Sequence, residues 1–175
     1  MIPYTLLEFD QLNSTSDFLK ENFSYFPHMT FIRANFQTQG RGQFDRTWLS
    51  DSKQNILCSI LLKDLKMSSI SEVKLWMKES LMSFLENEGL NPRFKEPNDI
   101  YIFEQKICGI LIETKSTSDH LDYVIVGFGL NVNQHIFHDL YATSMSLLKD
   151  QDYDIQKLFQ RILNHLVYTY EDYDI

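Results

Sequence analysis

Glycine, proline and cysteine are scarce in this chain, with six, four and two copies in 175 residues. Cys58 and Cys108 each stand inside an apolar run, so the sequence offers two buried, reduced thiols rather than a disulfide or a metal pair. Basic side chains are also outnumbered, sixteen against twenty-four acidic ones, for a net charge of −8. That balance argues against a nucleic-acid partner or an anionic membrane surface. The opening MIPYTLLEFDQL has neither a basic leader region nor a long apolar segment. It therefore reads as neither signal peptide nor membrane span, and the expected setting is the cytoplasm. No repeat, low-complexity tract or internal linker interrupts the chain. What is present is ample apolar material, 43% hydrophobic and 14% aromatic residues, enough for one sizeable core in one domain.

The stretch with the least apolar content is the most informative. Residues 36–50, FQTQGRGQFDRTWLS, follow a short β-like run at 30–34 and precede a longer one at 55–63. Gly40 and Gly42 allow backbone to approach a ligand closely. Arg41 and Arg46 carry planar forks suited to carboxylate or phosphate, and successive backbone N–H groups in such a loop can cup an anion. Trp48 adds a flat face for a heterocycle. The combination suits a ligand both anionic and aromatic, such as a nucleotide; the plain alternative is a solvated surface loop.

Around this loop the remaining elements can be read in order. Residues 2–9 read as a strand and 10–13 as a turn, with Ser14 or Thr15 placed to cap a short helix. Residues 56–62 are apolar almost throughout, as in a strand buried on both faces. A helix is predicted over 69–88, with Ser69 and Glu72 as a capping box and Gly89 as its C-terminal stop. Its stripe of Val73, Trp76, Met77, Leu81, Phe84 and Leu85 is core rather than chemistry. The runs 91–103 and 106–114, separated by Glu104 and Gln105, predict a hairpin with Lys95, Asn98, Asp99 and Lys106 near its ends. Gly109 inside the second run permits close backbone approach. In the strand at 121–132, Gly127 and Gly129 alternate with apolar residues, so one face could floor a site; Asn131 and Asn133 follow with groups that both donate and accept. The alternative is that these glycines only ease packing against a helix. A C-terminal helix runs from Ile155 to Tyr170. The order predicts an α+β fold, a mixed sheet with helices mainly on one face.

Three segments, GRGQFDRTW, KEPNDIYIFEQKICGILIE and VIVGFGLNVN, in this order and spacing, together with the Ser14–Thr15 pair, resemble the catalytic domain of biotin–protein ligases. The resemblance covers roughly residues 5 to 170. It implies a biotin/lipoate ligase-like sheet, related to class II aminoacyl-tRNA synthetases, and an ATP-dependent enzyme. Such an enzyme makes biotinyl-5′-adenylate with Mg2+ and passes biotin to a lysine of a biotin carboxyl carrier domain. It further implies that Ser14, Thr15 and Gln37 bond the biotin ring system, with Gly40 and Gly109 as close backbone neighbours. Arg41 would hold the biotin carboxylate and the α-phosphate, Arg46 would order the loop and steer phosphates, and Trp48 would stack on adenine. Asn131 would read the adenine edge, and Lys106 would touch both the carboxyl oxygen and the α-phosphate. Asp99 would orient the incoming amine or a metal-bound phosphate. No metal-ligand motif is present, so Mg2+ would arrive with ATP.

The sequence departs from the family pattern at several points. Gln43 stands where many members carry arginine, Asp45 where glycine is frequent, and Glu96 where tryptophan is usual. Residues 52–54, Ser-Lys-Gln, replace a Pro/Gly-rich turn. The resemblance leads us to expect a single catalytic domain over 1–175, with no helix-turn-helix before Met1 and no small β-barrel after the last helix. A weak homodimer is the expected limit of self-association. The departures leave open a module that binds biotin or its adenylate with weak transfer, and the shared scaffold leaves open a lipoate or octanoate ligase.

Overall fold

The computed structural model describes residues 2–44, 46–118, 120–138 and 141–175. Asp45, one of the departures above, lies outside the described residues. Seven strands form one sheet: β1 (Thr5–Leu12), β2 (Thr30–Gln37), β3 (Asn55–Leu62), β4 (Pro92–Lys95), β5 (Asp99–Ile102), β6 (Gln105–Thr117) and β7 (His120–Asn131). Their order across the sheet is β1-β2-β3-β7-β6-β5-β4. Only β1 and β2 are parallel, joined through α1 (Thr15–Asn22); every other neighbouring pair is antiparallel. The described residues add three further α-helices, α2 (Ser69–Asn87), α3 (Met145–Lys149) and α4 (Ile155–Tyr170), and a 3₁₀ turn at Phe23–Tyr25. The α+β expectation holds.

Alternation along the strands divides the sheet into two unlike faces. Ile56, Cys58, Ile60 and Leu62 of β3 join Val124, Val126, Phe128 and Leu130 of β7 on one face, under α2 and α4. Trp76 of α2 is wholly buried there, its Nε1 donating to the Leu166 carbonyl at 3.2 Å while Tyr170 meets the ring edge-on. On the opposite face lies a smaller cluster, with Leu19 of α1 against Ile32, Leu61, Tyr123 and Ile125. Most helical mass thus covers one face, as predicted, while α1 sits alone on the other.

Several boundaries differ from the sequence reading, each for a tertiary reason. β1 runs to Leu12 rather than turning at residue 10, because pairing with β2 continues to Leu12 opposite Gln37. The same pairing draws Phe36 and Gln37 out of the loop and into β2. The run 91–103 is two strands, since residues 96–98 turn the chain and place Lys95 opposite Asp99. The capping box at Ser69 and Glu72 does not form. Ser68 precedes α2 in helical geometry without a side-chain cap, and a turn from the Lys66 carbonyl to the Ser69 N–H leads in. At the other end Gly89, with φ of 75°, closes α2 as expected: its N–H reaches the Glu86 carbonyl and that of Leu90 reaches Leu85. Helix α3, capped by Ser144, is too short to leave a periodic signal in the sequence.

Candidate functional site

The face bearing α1 stops being a core halfway along. On β7 the residues facing that way run Tyr123, Ile125, Gly127, Gly129 and Asn131, so the side chains disappear from Gly127, under the first turn of α1, onward. Register places Gly127 beside Ser59 of β3 and Gly129 beside Gly109 of β6. Above this floor opens a cavity of about 320 Å³, inside the range of small-molecule sites, roughly 300–1,000 Å³. Of the eleven residues to which the resemblance gives a role, ten line it: Ser14, Thr15, Gln37, Arg41, Arg46, Trp48, Asp99, Lys106, Gly109 and Asn131. The cavity therefore unites segments spread over most of the chain.

Gly40 is the exception, and its missing side chain makes room within the loop itself. A Cβ there would stand 2.6 Å from the Trp48 carbonyl oxygen and 3.0 Å from Gln37 Nε2. Gly40 thus lets the loop close on itself. The Trp48 N–H bonds the Gly40 carbonyl at 2.9 Å, Arg41 bridges Thr47, and the Gly42 N–H bonds the Arg46 carbonyl at 2.7 Å. The result is a tight excursion with Phe44 exposed at its tip and Arg46 exposed beside it. Two buried amides anchor its exit: Gln134 Oε1 accepts from the Asp51 N–H and from Asn55 Nδ2, while Asn55 Oδ1 accepts from the Val132 N–H.

The glycine floor has two uses. At Gly127 a Cβ would meet Ser16 Oγ at 2.8 Å, so this glycine does ease packing against a helix, α1. At Gly129 and Gly109 the neighbour is the Trp48 indole, 2.5 Å and 2.9 Å from the Cβ positions. Trp48 lies flat along the floor, and its buried Nε1 has no hydrogen-bond partner among the described residues. Lys106 Nζ stands 5.3 Å from the centre of the same ring and 2.7 Å from Asp99 Oδ1. Asn131, only 3% exposed, is held toward the Lys106 carbonyl. That carbonyl also receives the Thr143 N–H, and the Lys106 N–H bonds the Tyr141 carbonyl, so the lysine's backbone is fixed on both sides.

At the other end of the cavity Ser14 caps α1, its Oγ accepting the Asp17 N–H at 3.2 Å. Gln37 Oε1 takes both the N–H and the hydroxyl of Thr15, at 2.7 and 3.0 Å. Thr15 and Ser16 in turn both meet Ser59 Oγ, at 2.7 and 2.8 Å. Ser16 and Ser59 had no signal in the sequence, because lone serines in a helix start and an apolar strand look like ordinary packing. Asn98, whose Nδ2 bonds the Ile110 carbonyl at 2.7 Å, also joins the lining. Glu96 is exposed and stays outside it, so this acid points to solvent rather than to the cavity.

Charge is strongly concentrated here. Arg41, Arg46 and Lys106 face the cavity, and Asp99 is the sole carboxylate among its described lining residues, in a chain of net charge −8. Arg41 is not idle: Nη1 meets Asp17 at 2.7 Å and Nη2 meets Glu113 at 2.9 Å. Burial works against its charge, but Glu113 and Asp17 outweigh that and hold it above the ordinary arginine range. No cluster of three or more metal-ligating side chains occurs among the described residues. Cys58 and Cys108 are free and buried, as expected; burial pushes the Cys108 thiol up to about 12, far from a reactive thiolate.

Comparison with known proteins gives this arrangement its relatives. The profile of the biotin/lipoate A/B protein ligase family matches residues 8–131. The chain belongs to that family. It is 33% identical over 154 residues to the bifunctional ligase/repressor BirA of Bacillus spizizenii, a match over 84% of this chain and 47% of that protein. It is 31% identical over 130 residues to the chloroplastic biotin–protein ligase 1 of Arabidopsis thaliana, covering 70% of this chain and 35% of that one. The chain thus spans about half or less of these curated relatives. Among solved structures, biotin protein ligase from Aquifex aeolicus in complex with biotin and ATP superposes with a TM-score of 0.83 at 28% identity, over 95% of this chain and 70% of that chain. No helix is long and apolar enough to cross a membrane among the described residues.

Proposed function

We propose that residues 1–175 work as one catalytic domain that activates biotin with ATP and transfers it to a lysine of a biotin carboxyl carrier domain. The observation that carries this reading is the position of Lys106, poised at once over the Trp48 ring and beside Asp99 at the mouth of a glycine-floored cavity. A carboxylate oxygen attacking the α-phosphorus of ATP brings two anions together and expels pyrophosphate. Cations at that point neutralise charge that builds in the transition state. Lys106 and Arg46 supply them. The buried hydroxyls of Ser14 and Thr15 with the half-buried Gln37 amide suit a polar ring system, while Trp48 and Asn131 suit an adenine. In the second half-reaction the carrier's lysine amine attacks the acyl carbon and AMP leaves. Holding both substrates in one cavity removes much of the entropic barrier, and a loop folded over the floor shields the mixed anhydride from water.

A single carboxylate among three cations is no resident metal cage. A Mg2+ would instead enter on the nucleotide phosphates, with Asp99 near enough to orient a metal-bound phosphate. The metal would supply further charge neutralisation at the phosphates. A cytoplasmic setting and at most a weak homodimer complete the proposal, the latter tested by sedimentation with and without substrates.

Exchange of labelled pyrophosphate into ATP, run in parallel with biotin, lipoate and octanoate, tests the reading. Biotin-dependent exchange is expected. Exchange driven by lipoate or octanoate alone would move the chain to the other branch of its family, and tight biotin binding without exchange would make it a binding module.

A further inference from the structure

Arg41 was expected to meet the substrate's anions, yet its terminal nitrogens are committed elsewhere. Four charges close into a ring beside the cavity: Arg41 to Asp17 at 2.7 Å, Arg41 to Glu113 at 2.9 Å, Lys20 to Glu113 at 2.5 Å and Lys20 to Asp17 at 3.7 Å. A further contact from Arg41 Nη1 to Glu113 Oε2, at 3.2 Å, makes the arginine–glutamate pair two-armed. The ring joins three elements that are remote in sequence: the first and last turns of α1, the middle of β6 and the loop that carries Trp48. Two cations face two carboxylates, so the ring is neutral and has no charge to spare for a substrate. Neither Asp17, Lys20 nor Glu113 lines the cavity. They act on it only through Arg41.

We propose that Asp17 and Glu113 are positioning residues, which bolt Arg41, and with it the 40–48 loop, against α1 and β6 so that Trp48 lies on its glycine floor. Arg41 serves as the bolt rather than as the hand that grips phosphate. Glu113 is the stronger anchor, with two contacts and 19% exposure, since a two-armed arginine–carboxylate pair shielded from water loses least to solvent screening. Asp17 is 38% exposed and contributes less. Arg41 sits immediately after Gly40, whose close contact with the Trp48 carbonyl couples the bolt to the tryptophan across the base of the loop. The effect on substrates rests on the ligase reading above; the seating of the loop does not.

The closing experiment separates the two. In the substrate-free protein, tryptic cleavage after Arg46, at the exposed tip of the loop, reports how often the loop leaves its seat. Glu113→Gln keeps the size of the side chain and removes its charge; it should speed this cleavage roughly ten-fold, the scale of losing a charge-assisted bond. Asp17→Asn should give a smaller increase, and Arg41→Lys, which gives up the two-armed contact, should resemble Glu113→Gln. Circular dichroism and cleavage sites in the core confirm that the fold persists; if Glu113→Gln unfolds, Asp17→Asn carries the same test. With substrates, Glu113→Gln should raise KM for biotin and ATP while leaving kcat close to wild type, because the bolt sets how often the site is assembled and not the chemistry within it. Unchanged cleavage in both carboxylate variants would overturn the proposal. So would tighter pyrophosphate binding in Glu113→Gln, which would mean that the carboxylates had been masking Arg41 as an anion hand. Should no acid support exchange in the wild-type protein, the ligase reading fails while the cleavage result still decides the bolt.

Discussion

The two sides of β7 are built for opposite ends. One side presents Val124, Val126, Phe128 and Leu130 to α2 and α4, and nothing there is polar enough to hold a ligand. The other holds a small cluster at Tyr123 and Ile125 and then gives way to Gly127, Gly129 and Asn131, with Ser59 and Gly109 on the neighbouring strands, at the cavity. A strand's two-residue period makes this division possible within a few residues, since neighbours in sequence face away from each other. The lesson is that the cavity floor can give up most of its side chains because the other face carries the larger core.

Substitutions on the two sides should therefore fail differently, and the largest effect belongs to the core. Trp76→Ala removes a wholly buried indole and its bond to Leu166, and should cost about 3–5 kcal/mol of stability. Denaturant unfolding measures that loss, and whatever protein remains folded should bind substrates with wild-type KM. Next comes the site. Lys106→Ala should slow adenylate formation by about 10²-fold or more, the usual scale for one group that meets developing charge, with a far smaller loss in biotin affinity and little change in unfolding midpoint. Lys106→Arg should rescue poorly, because a broad fork does not replace a compact ammonium. Single-turnover adenylation beside equilibrium biotin binding measures both. A Lys106→Ala protein that adenylates at the wild-type rate would remove this lysine from the reaction.

A milder change sharpens the contrast. Gly129→Ala would place a methyl 2.5 Å from the Trp48 indole, which must then lift from the floor. KM for ATP should rise by roughly ten-fold, a cost near 1.4 kcal/mol, whereas unfolding should change little because the core face is untouched. Fluorescence of Trp48 in a Trp76→Phe background reports the displacement directly. An unshifted spectrum with normal ATP binding would show that the floor tolerates a side chain.

What could be read from the sequence follows the same division. Helices α2 and α4 were legible because their apolar stripes repeat over many turns, and β3 because an unbroken apolar run of that length has few other homes. The loop was legible as a candidate site because Gly40, Arg41, Gly42 and Trp48 suit an anionic, aromatic ligand, although the same composition also suits a solvated loop. Its internal logic was not. Nothing local shows that Gly40 yields to the Trp48 carbonyl, or that Arg41 pairs with Glu113 seventy-two residues away. Ser16 and Ser59 were invisible for a similar reason: the buried hydroxyl set exists only once α1 lies across β3. The break between β4 and β5 was missed because a polar turn of three residues inside a β-like run resembles a strand with an exposed face.

The smallest expected effect concerns pH and lies on the core side. Burial lowers the pKa of His28, against the pull of its backbone hydrogen bond with Lys63 and of the Asp64 charge. Burial likewise lowers His165. In the unfolded chain both take up a proton as pH falls through about 6.5. The folded state resists this, so it loses stability below that point and regains it above. Unfolding measured at about pH 7.5 and pH 5.5 should show this slope, and His28→Gln should flatten part of it. A slope unchanged in that variant would assign the pH dependence to other groups.

The division between the faces is tested most directly by hydrogen exchange of the intact protein with and without biotin and MgATP. Added protection is expected in the 40–48 loop, at the start of α1 around Ser14 to Ser16, and at the Gly109 and Gly127–Asn131 positions, with α2 and α4 unchanged. Protection centred on α2 and α4, or none at the glycine floor, would contradict the account.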